Sequence, residues 1–289
     1  GQIVGVVCNS DGHKGRPGAE GPGAGEFGIA GGLTCVLAPE LARDAVFDAL
    51  RQRRCYGTTG ARIDLDFEVD GRPMGSVLEA DGEVAAKASV RTTGPVESLT
   101  LLRGRKPVAT VRPPPFDDLS RSRRIRVRWE GARIRGRGRR VTWSGVIRAE
   151  GAQIQSAGTF AFDSAADGIT EQTSSEVRFR SQTTGDADGI DLWLDQATRG
   201  HIEFDSPVGR CRARLDELVP ERTWSFGGMD VRVTMQRYPE QVNERELALS
   251  TALSPPTDRQ EAYLVKVLQT DGQMAWSSPV YLTRRDGKG

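Results

Sequence analysis

The sequence predicts a mainly β protein in which a β-sandwich follows a short α/β segment. Stretches of alternating apolar and polar residues recur after residue 60, as in ARIDLDFEV. Turn signals such as Asp70-Gly71 separate these stretches. Only Pro39 to Arg54 has the spacing of a strong amphipathic helix. Many short strands with turns between them and little helix are typical of a two-layer β-sandwich.

The first 60 residues have a different texture from the remainder. The elements predicted there are, in order, a short buried strand (residues 3–8), a loop rich in glycine and proline (9–32), a second buried strand or extended segment (33–38) and the helix (39–54). Pro39 suits the first turn of the helix, and Glu40 lies at its positive end. We place a domain boundary near Gly60, which separates residues 1–60 from a β domain of residues 61–289.

The β domain is predicted from nine further stretches with strand-like alternation. They are KASVRT, SLTLLRG, RIRVRW, GTFAFD, SEVRFRS, IDLWLD, DVRVTMQ, AYLVKVLQ and SPVYLT. Most of them alternate apolar with polar or charged residues, which predicts strands with one face in a core and one face in water.

Overall composition excludes some classes of partner. The chain has 40 basic and 39 acidic residues, so no nucleic acid partner is expected from net charge. No apolar run approaches the roughly 20 residues needed to cross a bilayer, so no membrane span is expected. The chain opens without Met inside a predicted strand, which suggests the C-terminal part of a longer protein. Its compartment, cytoplasmic or periplasmic, and its oligomeric state stay open.

Charge is distributed unevenly along the middle of the chain. Residues 103–140 contain 14 Arg or Lys against three acids, whereas residues 150–205 contain 11 acids against three basic residues. The first stretch is compatible with a nucleic-acid binder, whose affinity would fall steeply with salt. Opposite charges on neighbouring strands also stabilise a sheet. We expect the arginine-rich strands near 121–140 to lie beside acidic strands from 150–205.

Three aspartates, Asp186, Asp188 and Asp191, occur together in DADGIDLWLD. Calcium is bound by such oxygens, but the glycine falls at the wrong offset for an EF-hand loop. We interpret the stretch as a turn that leads into a strand.

The stretch VVCNSDGHKGRPGA places Asp11 and His13 two residues apart, just beyond a predicted strand. A carboxylate and an imidazole are good ligands for zinc, manganese or iron, and such a metal acidifies bound water. A plain turn at a strand end is the other interpretation of this spacing. The chain has two histidines, His13 and His201, so a histidine-rich site is not complete within it.

The runs NSDGHKGRPGA and GGLTCVLAPELARDAVFDALRQRRCYGTTGARIDLDFEVDG resemble the end of a PHP-type metal-dependent hydrolase. The likeness is to an uncharacterised bacterial family with a PHP core and an appended β-rich region, and more distantly to PHP-like phosphoester and carbamate hydrolases. It covers residues 5–75 and the terminal QMAWSSPVYL. It implies that residues 1–60 are the C-terminal remnant of a PHP (TIM-like) barrel and that residues 61–289 are an added β-sandwich.

The resemblance implies metal-ligand roles for two residues, and we assign roles to four neighbours in the same loop. Asp11 and His13 match a D-x-H motif that supplies two metal ligands, and the remaining ligands would lie upstream of this chain. Lys14 and Arg16 would meet an anionic substrate, or are solvated loop charges. Asn9 and Ser10 would orient the ligands. The implied cofactor is a divalent ion (Mn, Zn or Fe) held mostly by residues that the chain lacks, and no side chain is assigned as catalytic.

Two functional hypotheses follow. The first is a fragment of a metal-dependent hydrolase in which metal-activated water attacks a small-molecule phosphoester, or a related ester or carbamate. The fragment by itself is expected to be inactive, because two ligands from one loop leave a metal mostly bound by water. The alternative is a non-catalytic β-sandwich module that binds carbohydrate or protein.

Overall fold

The computed structural model describes residues 2–10, 31–219 and 221–284, which form two compact units. Unit 1 contains residues 1–113 and 242–289, and unit 2 contains residues 114–241. Unit 2 is therefore an insertion in the sequence of unit 1. Both units are built mainly from β-strands, as predicted.

The elements are numbered in chain order. Unit 1 begins with β1 (Leu33–Val36), α1 (Arg43–Arg51), β2 (Cys55–Thr58), β3 (Asp64–Val69), β4 (Arg72–Pro73), β5 (Val77–Glu79), β6 (Val84–Arg91), β7 (Val96–Arg103) and β8 (Lys106–Val111). Unit 2 contains a 3-10 turn (Pro114–Phe116), β9 (Arg124–Ala132), β10 (Val141–Thr142), β11 (Gly145–Glu150), β12 (Ile154–Phe160), β13 (Gly168–Gln172), β14 (Glu176–Arg180), β15 (Gln182–Thr183), β16 (Ala187–Leu194), β17 (His201–Ser206), β18 (Gly209–Arg214), a second 3-10 turn (Leu215–Glu217), β19 (Arg222–Ser225) and β20 (Met229–Tyr238). Unit 1 resumes with β21 (Glu246–Leu253), β22 (Gln260–Gln269), β23 (Met274–Ser277) and β24 (Val280–Thr283).

Unit 1 contains two sheets that share one core. The larger has the order β1-β2-β23-β22-β24-β5, with β7 paired to β22 and β8 paired to β7, and the smaller has the order β21-β6-β3-β4. Burial alternates strictly along β6, as period two requires. Leu65 and Phe67 of the smaller sheet and Leu99 and Val265 of the larger belong to the same buried cluster. The arrangement is sandwich-like, as predicted.

The predicted turn at Asp70-Gly71 is present between β3 and β4. Asp70 has φ 51° and Gly71 has φ 71°. Positive φ at both central residues gives the type I′ twist that suits a two-residue hairpin, which is why the Asp-Gly pair predicts it.

The predicted remnant of a PHP barrel is wrong. A TIM-like barrel needs parallel strands joined by helices. Here β1 pairs antiparallel with β2, Leu33 lying opposite Thr58, and β2 pairs antiparallel with β23. These strands belong to a sheet in which every pairing but that of β24 with β5 is antiparallel, and the described residues show no barrel.

The predicted strand at residues 3–8 is also wrong. Residues 2–10 have no assigned secondary structure. Hydroxyl oxygens accept their amides: Val4 N–H donates to Tyr281 Oη at 2.9 Å and Val6 N–H to Ser278 Oγ at 2.9 Å. Because side chains replace a partner strand, the segment is held as an extended arm. Val4 and Val7 are more than half exposed.

The helix is shorter than its sequence pattern. It spans Arg43–Arg51, whereas Pro39 and Glu40 lie in bends before it. Ala42 is extended (φ −123°) and has no capping side chain, and Arg53 has φ 59°, which ends the helix. The predicted apolar face is mostly uncovered, because Leu41 is fully exposed and only Ala49 is buried.

Unit 2, like unit 1, has two main sheets around one core, and in unit 2 each of these sheets has five strands. Their orders are β13-β14-β11-β17-β18 and β12-β16-β9-β20-β19, and β10 pairs with β15. The core is aromatic: Trp129 stacks on Phe179 with ring centroids 4.4 Å apart, and Phe204 lies against both rings. Rings in this offset geometry add to the stability that their buried area provides. The two sheets hold the β9–β10 connection described below.

Candidate anion-binding surface

The two predicted metal ligands, Asp11 and His13, and the two predicted substrate-binding residues, Lys14 and Arg16, lie outside the described residues. Asn9 and Ser10 lie at the end of the extended arm of residues 2–10, where Asn9 is exposed and Ser10 is partly buried. Of the other predicted features, Asp186 precedes β16 and Asp188 lies within it, and His201 begins β17.

The arginines of β9 are paired with acids, as predicted. Asp191 of β16 lies opposite Arg126 in the ladder, and their side chains form two hydrogen bonds of 2.8 and 2.9 Å. Arg124 donates to the same carboxylate at 2.6 Å. Arg126 is 1% exposed, with its guanidinium 3.9 Å from the ring centre of Phe160 and 3.8 Å from that of Tyr238. The positive charges of these arginines are therefore paired with a carboxylate inside unit 2.

The other sheet of unit 2 shows the same pairing. Arg148 of β11 donates to Glu203 at 3.1 Å and to Asp205 at 3.3 Å, both on β17. Arg210 of β18 also donates to Asp205, at 2.7 Å. The hydrogen bond from Arg210, with that from Arg148, lowers the pKa of the Asp205 carboxyl. The predicted neighbourhood of arginine-rich strands near 121–140 and acidic strands is confirmed by β9 beside β16, and Arg148 and Arg210 extend the same pairing to strands outside that stretch.

The connection between β9 and β10 differs from these strands. Residues 133–140, which we call the arginine loop, are all exposed and carry five arginines: Arg133, Arg135, Arg137, Arg139 and Arg140. None of the five lies within 4 Å of a carboxylate in the part of the chain that the structure describes. A backbone bond from Arg133 N–H to Arg139 O, 2.8 Å, closes the loop at its base.

Two glycines turn the arginine loop. Gly136 has φ 79° and Gly138 has φ 78°, a region that side chains with a Cβ rarely adopt. No atom lies within 4 Å of a Cβ added at Gly136, so the loop projects into solvent there. The alternation of Arg and Gly therefore spreads the guanidinium groups rather than packing them.

A cavity of about 360 Å³ lies at the side of the arginine loop. Its walls include Ile134, Arg135 and Arg139 from the loop and Met229 and Arg232 from β20. Ile134 is 50% exposed and Met229 is 38% exposed, so the cavity lining has apolar surface as well as cations.

Two carboxylates also line the cavity. Glu130 accepts a hydrogen bond from Arg232, and this bond raises the pKa of Arg232. Asp230 is exposed at the start of β20. Arg135 and Arg139 are therefore the lining cations that no carboxylate within the described ranges neutralises at contact distance.

The chemistry of the surface favours an anionic ligand. A guanidinium presents a planar fork of N–H donors that matches carboxylate or phosphate geometry. The cavity lining contains no Phe, Tyr or Trp. Ring stacking, by which many proteins hold unpaired bases, is therefore not provided by this lining.

The sequence carried a signal for this loop that our interpretation missed. In RIRVRW the arginines alternate with apolar residues, whereas in RGRGRR glycine replaces the apolar partner. Loss of the apolar alternation marks the end of β9 and the start of the arginine loop, whose charges have no carboxylate at contact distance among the described residues. Treating residues 103–140 as one basic stretch hid that boundary.

Comparison with known proteins gives partial matches. The family model described as "Protein of unknown function (DUF3604)" matches residues 5–92. An uncharacterized protein of Chlamydia trachomatis is 49% identical over 47 residues, which are 16% of this chain and 8% of that protein. A Chlamydia pneumoniae protein is 35% identical over 72 residues, 25% of this chain and 12% of its own length. The matched segments thus span about a tenth of these bacterial relatives.

No solved structure matches the chain. Among the described residues, no helix is long and apolar enough to cross a membrane. The resemblance to a PHP-type hydrolase is wrong, because the stretch that carried it matches the DUF3604 model, and β1 and β2 within it pair antiparallel. The arginine loop lies outside the matched residues. What this chain is similar to, over residues 5–92, is the DUF3604 family.

Proposed function

We propose that this chain is a non-catalytic β-sandwich module that binds an acidic segment of a partner protein through the arginine loop. The observation that carries this proposal is the contrast within unit 2. The arginines of β9 and β11 have carboxylate partners, whereas the five arginines of the loop are exposed and have none at contact distance among the described residues.

Electrostatics supports an anionic partner. The five guanidinium groups lie within eight consecutive residues. Screening at physiological salt acts over roughly 8 Å, so neighbouring charges on such a short loop act together on an approaching ligand. Arginine remains charged throughout the physiological pH range. The surface is therefore a permanent site of positive potential on a chain whose net charge is close to zero.

The apolar residues of the cavity lining favour a protein ligand over a glycan or a nucleic acid. Exposed Ile134 and Met229 lie beside Arg135 and Arg139 in the cavity. Arginine and methionine are enriched in protein interfaces, and an acidic peptide offers both carboxylates and aliphatic side chains. Stacking of bases on aromatic side chains has no counterpart in this lining.

The thiols with shifted pKa values support a non-catalytic role. Burial, with the charge of Glu203, raises the pKa of Cys211 to about 12. Burial also raises the pKa of Cys8. A nucleophilic cysteine needs a lowered pKa, so neither thiol is prepared for attack. The metal-dependent hydrolase stays a prediction, since Asp11 and His13 lie outside the described residues and no described contact favours it.

The proposal is tested by reversing two loop charges. The variant Arg135→Glu/Arg139→Glu is compared with Arg105→Glu/Lys106→Glu, which changes the net charge equally at exposed positions of unit 1. The probe is a fluorescent peptide of Glu-Glu-Leu repeats, followed by anisotropy. We expect the loop variant to bind at least about tenfold more weakly than wild type and the control to bind as wild type does.

Competition separates the classes of ligand. A Lys-Lys-Leu peptide should not bind, and raising salt from about 50 to 200 mM should weaken the acidic peptide. Equal loss of binding in the loop variant and the control would contradict the proposal. Heparin or single-stranded DNA binding more tightly than the peptide at matched charge would replace the protein partner with a general polyanion.

A further inference from the structure

Three carboxylates converge in unit 2 without an arginine among them. Oxygen atoms of Asp163, Asp186 and Asp188 lie within 4.8 Å of one another. Asp163 comes from the connection between β12 and β13, Asp186 from the residue before β16, and Asp188 from β16 itself. Strand pairing therefore assembles the group from separate parts of the chain.

Asp188 is the buried member of this group. Its side chain is fully buried, and its Oδ2 accepts a hydrogen bond from Ser181 Oγ at 2.5 Å. Ser181 Oγ in turn accepts the indole N–H of Trp129 at 2.7 Å. The second oxygen, Oδ1, has no hydrogen-bond partner among the described residues. A buried carboxylate oxygen without a partner is costly, so its presence calls for a ligand.

Asp191 shows what a fully satisfied carboxylate on the same strand looks like. It is also buried, but Arg126 binds both of its oxygens and Arg124 binds one. No arginine or lysine in the described ranges lies within 4 Å of the carboxylates of Asp163, Asp186 or Asp188. Burial raises the pKa of neighbouring Asp167, and the positive charges of Arg180 and Arg140 offset part of this rise.

The acids also repel one another. Burial, together with the charges of Asp186 and Asp163, raises the pKa of Asp188 to about 8, against the lowering effect of the hydrogen bond from Ser181. Burial likewise raises the pKa of Asp163 to about 6, with a contribution from Asp186. Asp186 keeps one oxygen occupied, because its Oδ1 accepts Thr184 N–H at 2.6 Å.

We propose that Asp163, Asp186 and Asp188 bind a divalent cation, with the unpartnered Oδ1 of Asp188 as the buried ligand. The ligand set consists of carboxylate oxygens, which suit hard cations, whereas zinc and copper sites favour imidazole or thiolate. Three carboxylates from irregular positions suit calcium, which accepts six to eight oxygens in flexible geometry, better than magnesium, which demands a near-ideal octahedron. Water would complete the shell.

The competing explanation is a protonated Asp188 that serves as a structural acid. A neutral carboxyl needs no cation and tolerates burial better than a carboxylate. The two explanations differ in their response to added metal and to substitution by asparagine, which is isosteric with the neutral acid. The proposal goes beyond the proposed function, and its test uses no peptide.

The test is calcium titration of the EDTA-treated full chain by calorimetry, with a thermal melt followed by tryptophan fluorescence. Trp129, Trp143, Trp193 and Trp224 lie in unit 2, so the fluorescence reports mainly on that unit. We expect one calcium ion per chain, a Kd of roughly 10⁻⁶ to 10⁻³ M, and a melting temperature that rises with calcium.

Variants assign the site. Asp163→Asn and Asp186→Asn should each weaken calcium binding at least about tenfold, while exposed Asp117→Asn should bind as wild type does. Because Asp188→Asn risks misfolding, the partly exposed Asp163 carries the decisive substitution. The proposal is overturned if calcium and manganese give neither heat nor a shift in melting at about 10 mM. It is also overturned if Asp163→Asn and Asp186→Asn bind normally. An Asp188→Asn variant that melts above untreated wild type, with no metal response in either, would establish the structural acid.

Discussion

The arginines of β9 and those of the arginine loop are neighbours in sequence, yet they stand in opposite electrostatic situations. Arg126 lies in a ladder whose next strand supplies Asp191 in register, and its charge is neutralised inside the unit. Arg135 and Arg139 lie beyond the last ladder position, where the described residues offer no carboxylate at contact distance. A guanidinium is therefore structural or available for binding according to whether the strand beside it supplies a carboxylate.

The acids of β16 repeat this comparison. Asp191 and Asp188 are both buried and three positions apart on one strand. Asp191 is satisfied by Arg126 and Arg124, whereas Asp188 has one satisfied oxygen and one unpartnered oxygen within the described part of the chain. Burial by itself therefore does not distinguish a structural carboxylate from a candidate ligand. The two cases are distinguished by whether a neighbouring strand supplies a partner for the carboxylate.

The largest effect is expected from breaking the buried pair. Asp191→Asn removes the buried carboxylate charge that binds Arg126 and Arg124, so unit 2 should lose about 3 kcal/mol or more of unfolding free energy. Urea unfolding followed by tryptophan fluorescence measures this loss. The control Glu150→Gln removes an exposed pair with Arg212 in the same unit and should leave stability nearly unchanged. A loss below about 1 kcal/mol in Asp191→Asn would show that the pair is dispensable.

A smaller, pH-dependent effect is expected from the partly exposed pair. Asp205→Asn removes an acceptor of Arg210 and Arg148 and should cost up to about 1 kcal/mol at neutral pH. Because the pKa of Asp205 is lowered in the folded state, its contribution is complete above the ordinary value of 3.8. It disappears as pH falls through the lowered pKa. The difference between wild type and variant should therefore shrink in acid, and a difference that grows in acid would contradict the pairing.

The smallest effect on stability is expected in the arginine loop. Replacing its five arginines with serine should change unfolding free energy by no more than about 0.5 kcal/mol, because no carboxylate in the described residues depends on them at contact distance. The same urea experiment measures it. A loss above about 1 kcal/mol would show that the loop arginines stabilise the fold, and would reassign the loop from binding to structure.

Much of the fold could be predicted because its signals are local. Alternation along β6 and β22 records which side chains enter the core, and Asp70-Gly71 records a backbone twist that few other pairs adopt. The helix was found but overextended, because nothing in the apolar spacing shows that Ala42 is extended or that Arg53 has positive φ. The strand at residues 3–8 failed because side-chain hydroxyls, not a neighbouring strand, hold its backbone.

The candidate sites were harder to predict than the fold, because they depend on pairing between residues that are far apart in the chain. Sequence placed Asp186 and Asp188 together but did not bring Asp163 to them, since it lies in a different connection of the chain. The resemblance to a barrel hydrolase was wrong for the same reason. The sequence of an apolar segment does not show whether its neighbouring strands run parallel or antiparallel. In the structure β1 and β2 run antiparallel.

The class of the protein, its β periodicity, its turns and the opposite charges of its middle strands could be predicted from the sequence, because each depends on residues close together in the chain. Which charges cancel depends on the tertiary structure. Register sets Asp191 against Arg126, leaves Asp188 Oδ1 without a partner among the described residues, and leaves the loop arginines facing solvent. Electrostatic energy depends on distances of a few ångströms, and those distances are fixed by strands that the sequence keeps far apart.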